Sequence, residues 1–590
     1  MKRELIRIRW QHIGILIVLL LSWLPRMLDL GARPLDNSEA VHALNAAQLT
    51  PDPAPYWPGE QETISSSPLY EWLTAAVFQI VGSGETEARF VPALAGLLLA
   101  VVPLTFRGRL SRLTLLLGSL FIALSPVAIN LSRTAGGMML GALFLAASVA
   151  AAAQPARQEK PDRKWILTAV LLGAALASGA GVFNGLLSLG LAYLLARLLF
   201  PQAALSETVR DGWREFMRYC WMTSLTAVLL ATAIGMYRFG LAGLGESIVM
   251  WLRGWIPFGQ LSALGFLVAG ISYEPFILFT GIAGAVLAWR RSSSSGKLLT
   301  LWALGAFLIG LAYPGRSAQD WIWIVLPLSF VSAEGITILL GRLIGRERWL
   351  QVVALVSISL VLLGAALVTL ISYVNGYLQQ MVIGDNYLIG LALFAMLLLL
   401  SSVFVLFGLG WSWDIVWDGA GITLVLVTLA LSLSAAWNLA NDPGLGFRAL
   451  WASNSPTENG VYLQSTLENA SLALTGSSTA APVFFQGDPD PALVWRVRAY
   501  PRYEPSDGPD AAAPPILIAP QGAGLSIYGA EYFGQDFALN LERGWFGMLP
   551  PDLLRWSLTH SAPTGSTGWV VFIQADIIAL GEFSTGSAVE

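Results

Sequence analysis

Two carboxylates follow directly after the first apolar segment of the chain, in the six residues LDNSEA at 35–40. Asp36 and Glu39 are therefore expected where a helix leaves a membrane, a place in which an unpaired charge is costly. A carboxylate at that surface can act as a general base, removing a proton from the acceptor of a lipid-borne group. The structural alternative is that Asp36 or Asn37 caps a helix beginning near Ser38, with Glu39 favourable in its first turn.

Basic side chains that could bind an anionic substrate are few once the clusters assigned to the inner face, Arg26, Arg197 at an inner helix end and the part beyond residue 438 are set aside. The remaining ones are assigned to the outer face: Arg33, Arg89, Arg133, Arg238, Arg253 and Arg316. Since a guanidinium can pair with a phosphate through two hydrogen bonds, Arg133 and Arg316 are candidate phosphate contacts. Further candidate substrate-binding residues are His42, Arg89 and Asp320. The alternatives are arginine stems packed along apolar surface and, for Arg316 with Asp320, an i,i+4 ion pair at a helix start.

Residues that could hold a metal ion are scarce. Cys220 is the single cysteine, and the histidines are His12, His42 and His560. An intramolecular disulfide is therefore excluded, and a cysteine-based or multi-histidine metal centre is not expected. No P-loop, dinucleotide-binding, HExxH or CxxC pattern is present. We expect no dedicated metal site, no tightly bound cofactor and no nucleic-acid partner, and the use of a divalent cation stays open.

The elements that must position these groups are membrane-spanning helices. Of the 590 residues, 55% are hydrophobic and only 12% are charged, and the mean hydropathy is +0.62. These values exclude an ordinary soluble globular protein. Apolar runs long enough to cross a bilayer recur from residue 12 to residue 437 and predict about thirteen transmembrane helices. With that count the basic clusters fall on one side, so the N-terminus is predicted to be cytoplasmic, in a plasma membrane.

Composition divides the chain into two parts. Residues 1–438 are predicted to form the transmembrane domain, in which a long first outer loop at 31–88 carries an interfacial or re-entrant helix near 65–82. Beyond about residue 438, Pro, Asp, Ser and Gly become common and apolar runs shorten to strand length. Residues 439–590 are therefore predicted to form an extracytoplasmic α/β domain, with buried strands at 481–487, 514–520 and 568–576.

Several segments resemble the motifs of a known family in their order along the chain. They are SEA at 38–40, SPLYEWL at 67–73, EARFVPALAG at 87–96, LSP at 124–126, SRTAGG at 132–137 and YPGRSAQDWIWIVLPL at 313–328. This order resembles the GT-C superfamily of lipid-dependent membrane glycosyltransferases, of the protein O-mannosyltransferase and aminoarabinose transferase type. The resemblance covers about residues 12–340.

The resemblance implies a GT-C-like fold and transfer of a sugar from a polyprenyl-phosphate donor to an extracytoplasmic protein, lipid or glycan acceptor. In such enzymes an Asp of the first outer loop is the expected base, and outer basic residues bind the lipid phosphate. Here that position holds Ser38, so Asp36 or Glu39 would be the base. Where many relatives carry charged residues in the SRxxRxD stretch, this chain has Gly136 and Met138. A second interpretation follows, namely a non-catalytic structural or assembly subunit of a membrane complex.

Overall fold

The structure, a computed structural model, describes residues 2–50, 66–105, 110–154, 162–200, 209–256, 261–343, 349–378, 383–441, 454–457, 459–504, 513–522, 530–543, 556 and 564–580. Within these segments, regular structure up to residue 441 is helical, and the strands lie beyond residue 453. Helices suit a bilayer because each one satisfies its own backbone hydrogen bonds.

The helical part follows the apolar runs of the sequence. Its helices are α1 (Lys2–Met27), α2 (Asn37–Gln48), α3 (Pro68–Val81), α4 (Glu85–Val101), α5 (Arg112–Leu124), α6 (Pro126–Ser132), α7 (Met138–Ala153), α8 (Asp162–Leu176), α9 (Val182–Leu199), α10 (Val209–Ala231), α11 (Gly240–Arg253), α12 (Ala263–Tyr273), α13 (Pro275–Arg290), α14 (Ser294–Ala312), α15 (Ile322–Leu343), α16 (Trp349–Leu378), α17 (Ile383–Gly410) and α18 (Trp413–Asn441). The predicted outer-loop helix corresponds to α3.

Seven helices among the described residues are long and apolar enough to cross a membrane, or up to nine if each bent helix pair counts as one span. A polytopic helical membrane protein is thereby confirmed, whereas the total of about thirteen spans stays a prediction. The bent pairs are α5–α6, at 58°, and α12–α13, at 94°. In both pairs the second helix begins with proline, Pro126 or Pro275, which cannot continue the backbone ladder of the preceding helix.

A buried carboxylate connects the two bent pairs. Glu274 lies at the break between α12 and α13, and its Oε1 accepts hydrogen bonds from the Ser125 hydroxyl and, at 2.9 Å, from the backbone N–H of Val127. The first N–H groups of a helix have no partner within that helix. Glu274 therefore supplies an acceptor for α6, which leads directly into residues 133–137 beside the candidate site.

The C-terminal part is a six-stranded mixed sheet with the strand order β1-β5-β6-β4-β2-β3. Its strands are β1 (Asn454–Pro456), β2 (Val483–Phe485), β3 (Arg502–Tyr503), β4 (Ile516–Pro520), β5 (Tyr532–Arg543) and β6 (Thr564–Gln574), and its helices are α19 (Asn459–Thr475), α20 (Pro491–Arg496) and α21 (Ala575–Leu580). Strand β2 is parallel to β3 and β4, and the other pairs are antiparallel. The three strands expected from the sequence correspond to β2, β4 and β6.

Helix α20 packs the sheet against the helical part. Trp495 is 2% exposed, and its ring centroid lies 6.1 Å from that of Phe78 in α3. The backbone N–H of Ala492 donates to the Asn37 side chain at 3.3 Å. Arg498 covers the Trp495 ring at 3.7 Å and donates to the Ser83 carbonyl at 2.7 Å. Helix α20 and Arg498 therefore connect the C-terminal part to α2 and α3, the helices that carry the first outer-loop motifs.

Replacing Trp495 with Ala should loosen this contact, because truncating a buried aromatic side chain costs about 3–5 kcal/mol. We expect faster proteolysis of the C-terminal part in the purified, detergent-solubilised protein. Trp437→Ala is the control, since that side chain is 70% exposed. Equal cleavage rates for the two variants would contradict this packing role.

Candidate functional site

The segment LDNSEA forms the N-terminal cap of α2. Oδ1 of Asp36 accepts hydrogen bonds from the Glu39 backbone N–H at 2.8 Å and from the Ser38 hydroxyl at 2.6 Å. In return, Oε2 of Glu39 accepts from the Asp36 backbone N–H at 3.2 Å, which completes a capping box. The capping interpretation of Asp36 is therefore correct, and the oxygen that caps the helix, Oδ1, also accepts from the hydroxyl of Ser38.

Glu39 is buried and engages four donors. Arg89 of α4 donates from Nε to Oε1 at 2.9 Å and from Nη2 to Oε2 at 2.6 Å, and the Ala135 backbone N–H donates to Oε1 at 2.7 Å. The Asp36 N–H is the fourth donor. Arg89 also donates to three backbone carbonyls, those of Leu30, Arg33 and Pro34. The pair consequently joins α2, α4 and the segment before α7.

The two carboxylates differ in their titration. Burial, together with the neighbouring charge of Glu39, raises the pKa of Asp36 to about 6. Burial also opposes ionisation of Glu39, but the Arg89 guanidinium and the backbone N–H groups outweigh burial and lower the pKa of Glu39 below its ordinary value. Glu39 thus stays ionised at neutral pH, whereas Asp36 exchanges a proton near pH 6.

A cavity of about 400 Å³ opens beside α2. Its lining includes residues of α2, the glycines before α7, one residue each of α9 and α11, and the 313–320 segment: Ser38, His42, Gly136, Gly137, Asn184, Trp251, Tyr313 and Asp320. The structure therefore brings Ser38, His42 and Asp320 to one space. Among the described residues, no group of three or more His, Cys, Asp or Glu side chains is placed to hold a metal ion.

His42 lies one helical turn after Ser38, and a buried carboxylate stands behind its ring. Nδ1 of His42 is 3.6 Å from Oε1 of Glu71. Glu71, in α3, also accepts from the Asn45 side chain at 3.1 Å and from the Tyr237 hydroxyl at 3.4 Å. Sequence reasoning named His42 and missed Glu71. The sequence feature that could have identified Glu71 is that it is the single charged residue of α3, PLYEWLTAAVFQIV.

Asp320 and two residues that sequence reasoning missed form a hydrogen-bonded chain on the cavity wall. The Trp251 indole N–H donates to Oδ1 of Asn184 at 3.0 Å, and Nδ2 of Asn184 donates to Oδ1 of Asp320 at 3.0 Å. Oδ2 of Asp320 accepts from the backbone N–H of Ser317 at 2.8 Å and from its hydroxyl at 3.2 Å. The sequence did contain a signal for Asn184, because it is a polar amide residue within the otherwise apolar start of α9.

Arg133 and Arg316 each satisfy the carbonyls of a helix end and are not among the cavity-lining residues. Arg133 donates to carbonyls at the end of α1 and directly after it, those of Pro25, Leu28 and Asp29. Arg316 donates to Gly310 and Leu311 at the end of α14, and to Leu261. A guanidinium is favourable there because the helix C-terminus carries partial negative charge. Arg316 and Asp320 thus bond to different partners.

Comparison with known proteins gives one family match, over residues 65–183, and similarity of the fold to solved structures. Residues 65–183 match the model of the dolichyl-phosphate-mannose-protein mannosyltransferase family. The chain is similar to the crystal structure of ArnT from Cupriavidus metallidurans bound to undecaprenyl phosphate, with a TM-score of 0.56 and 12% identity over 96% of this chain and 98% of that chain. The apo state of ArnT gives a TM-score of 0.53 and 13% identity, over 98% and 99% of the two chains.

A weaker similarity is found to the archaeal oligosaccharyltransferase AglB from Archaeoglobus fulgidus in complex with an inhibitory peptide and a dolichol-phosphate. Its TM-score is 0.48 and its identity 12%, over 83% of this chain and 64% of that chain. No curated protein sequence matches the chain. The resemblance to GT-C glycosyltransferases is confirmed at the level of the fold.

Replacing Arg89 with Ala should leave the buried Glu39 carboxylate without its charged partner, at a cost of about 3–5 kcal/mol. We expect a clearly lower unfolding temperature in detergent. Arg253→Ala is the matched control, because its pair with Glu246 spans 3.5 Å with Arg253 69% exposed, and exposed pairs contribute about 1 kcal/mol or less. Similar losses in the two variants would contradict the role given to Arg89.

Proposed function

Because this chain has the fold of the GT-C membrane glycosyltransferases, we propose that it transfers a sugar from a polyprenyl-phosphate donor to an acceptor hydroxyl or amine at the outer face of the plasma membrane. The observation that carries the proposal is the cavity beside α2. Ser38, at the family's acidic position, borders this cavity, and Ser38 is hydrogen-bonded to the carboxylate of Asp36 at 2.6 Å.

In this mechanism Asp36 acts as the general base through Ser38. The acceptor proton moves to the Ser38 oxygen while the Ser38 proton moves to Oδ1 of Asp36. The acceptor atom then forms its bond to the anomeric carbon of the sugar, and the bond from that carbon to the phosphate oxygen breaks. The phosphate leaves with the electron pair and remains on the lipid, so the sugar inverts its configuration.

The other charged residues of the motif support this step. Glu39 has its oxygens engaged by four donors, so we assign it to positioning rather than to proton transfer. His42, held beside Glu71, is assigned to substrate contact within the cavity. Arg89 fixes Glu39, while Arg133 and Arg316 hold helix ends in the surroundings of the site.

The orientation of the chain is part of the proposal. With the N-terminus in the cytoplasm, the sheet of the C-terminal part is extracytoplasmic and lies on the side of α2 and α3. Its contact through Trp495 and Asn37 favours a role in receiving the acceptor. In a Cys220→Ser background, Ser83→Cys should react with an impermeant reagent in intact cells and Asp414→Cys should not. Labelling of Asp414→Cys without labelling of Ser83→Cys contradicts this orientation.

A non-catalytic assembly subunit is the alternative function. It is favoured by Ser38 in place of a carboxylate and by the absence of Lys and Arg among the described residues that line the cavity. Stable co-purification with a partner, combined with no transfer activity and no binding of polyprenyl phosphate by the purified protein, would favour this alternative.

Replacing Asp36 with Asn should lower sugar transfer from a lipid donor by about 10²–10⁴-fold, the usual contribution of a positioned base. The wild-type rate should rise as the pH increases through about 6, because Asp36 must be deprotonated to accept the proton. Asp414→Asn, on the exposed start of α18, is the control. Full activity of Asp36→Asn, with an unchanged pH profile, would rule Asp36 out as the base.

A carboxylate introduced at Ser38 should replace the two-residue relay. We expect Ser38→Asp to restore much of the transfer lost in Asp36→Asn, since it places a base directly at the cavity. Ser38→Ala in the same background should restore nothing. Transfer is measured with radiolabelled lipid-linked sugar, and equal behaviour of the two double variants would contradict the relay.

A further inference from the structure

The chain of hydrogen bonds from Trp251 to Asp320 is incomplete at the cavity. An amide nitrogen has two N–H groups and a carboxylate oxygen has two lone pairs. Among the described residues, Asn184 uses one N–H on Asp320, and Oδ1 of Asp320 accepts that bond alone. One N–H of Asn184 and one lone pair of Oδ1 therefore remain side by side on residues that line the cavity.

A donor next to an acceptor matches two neighbouring hydroxyl groups, since each hydroxyl can donate one hydrogen bond and accept others. An aromatic surface adjoins this pair. Trp251 is held by its bond to Asn184 and by the Tyr313 hydroxyl, which donates to the Trp251 carbonyl at 3.0 Å. Its ring also packs against Phe183, at 5.5 Å between centroids. A fixed indole beside a polar pair suits a sugar ring, which has both C–H groups and hydroxyls.

The charge of this wall selects among sugars. Asp320 is 8% exposed and accepts three hydrogen bonds, one from Asn184 and two from Ser317, the surroundings that an acceptor-only carboxylate requires. Arg316, four residues earlier, makes its described hydrogen bonds to backbone carbonyls, so it acts on Asp320 through its charge and not through a direct hydrogen bond. A second negative charge placed here would meet like-charge repulsion in a partly enclosed space. The donor phosphate must therefore lie away from Asp320, toward Ser38 and His42.

We propose that Asp320 and Asn184, with Trp251 behind them, form the subsite that binds the transferred sugar through two neighbouring hydroxyls, and that Asp320 excludes sugars bearing a carboxylate. This inference rests on the proposed function and names its substrate class, an uncharged or basic sugar rather than an acidic one. Asp320 and Asn184 are binding residues in this assignment, separate from the proton relay at Ser38.

The test compares two donors with the full-length protein in detergent, polyprenyl-phosphate hexose and polyprenyl-phosphate hexuronic acid. The wild type should transfer the hexose with a kcat/KM at least tenfold above that for the uronic acid. Asp320→Asn should reduce this preference at least tenfold, mainly through KM. Asn184→Asp, which adds a charge at the same wall, should increase the preference.

Matched variants separate recognition from folding. Trp251→Phe keeps the aromatic ring but removes the N–H that holds Asn184, so we expect a higher KM for the hexose and an unchanged preference over the uronic acid. Asp414→Asn is the control for charge removal elsewhere, and unfolding temperatures are compared for all variants. If Asp320→Asn does not fold, the opposite shift in Asn184→Asp still decides the question.

The outcomes distinguish the two proposals. Transfer of the hexose with a preference unaffected by Asp320→Asn and Asn184→Asp overturns this subsite while the proposed function stands. A wild type that favours the uronic acid also overturns it. Transfer of neither sugar, from these or other polyprenyl-phosphate donors, overturns the proposed function together with this inference.

Discussion

The ion pair between Glu39 and Arg89 is the interaction on which the geometry of the site depends. An unpaired charge buried next to a bilayer is unstable, so the two groups must meet, and the remaining N–H groups of Arg89 must find acceptors. They do so on the carbonyls of residues 30–34, and Glu39 also binds the backbone of Ala135. The pair thereby holds the start of α2 against α4 and against residues 135–137, which precede α7. It also places Ser38 and His42 at the cavity.

The same constraint explains why several conspicuous charged residues have structural roles. Helix ends within an apolar surrounding leave carbonyls and N–H groups that water cannot satisfy. Arg133 and Arg316 satisfy carbonyls at the ends of α1 and α14, and Glu274 satisfies an N–H at the start of α6. Among the described residues, Ser38, His42, Asn184 and Asp320 are polar groups that line the cavity and keep hydrogen-bonding capacity for a ligand.

Much of the fold could be predicted from local sequence patterns. Apolar runs predict helices well because hydropathy and length decide whether a segment crosses a bilayer, and the outer-loop helix α3 follows from its Pro start and apolar run. Strands β2 and β4 could be predicted because they are short apolar segments between turn residues. Strand β5, YFGQDFALNLER, was missed because polar residues and Gly534 interrupt its apolar pattern, and its pairing with β6 compensates.

The sequence by itself determined the membrane class and the family motifs, and it offered Asp36 or Asn37 as a helix cap, because an apolar run, a short motif and a cap are each local features of the chain. Only the tertiary structure decided which charged groups bond to partners within the protein and which line the cavity. Glu39 meets Arg89 across 50 positions, and Asn184 meets Asp320 across 136. Such pairings depend on how helices pack, and helix packing is a property of many weak contacts summed over the whole chain.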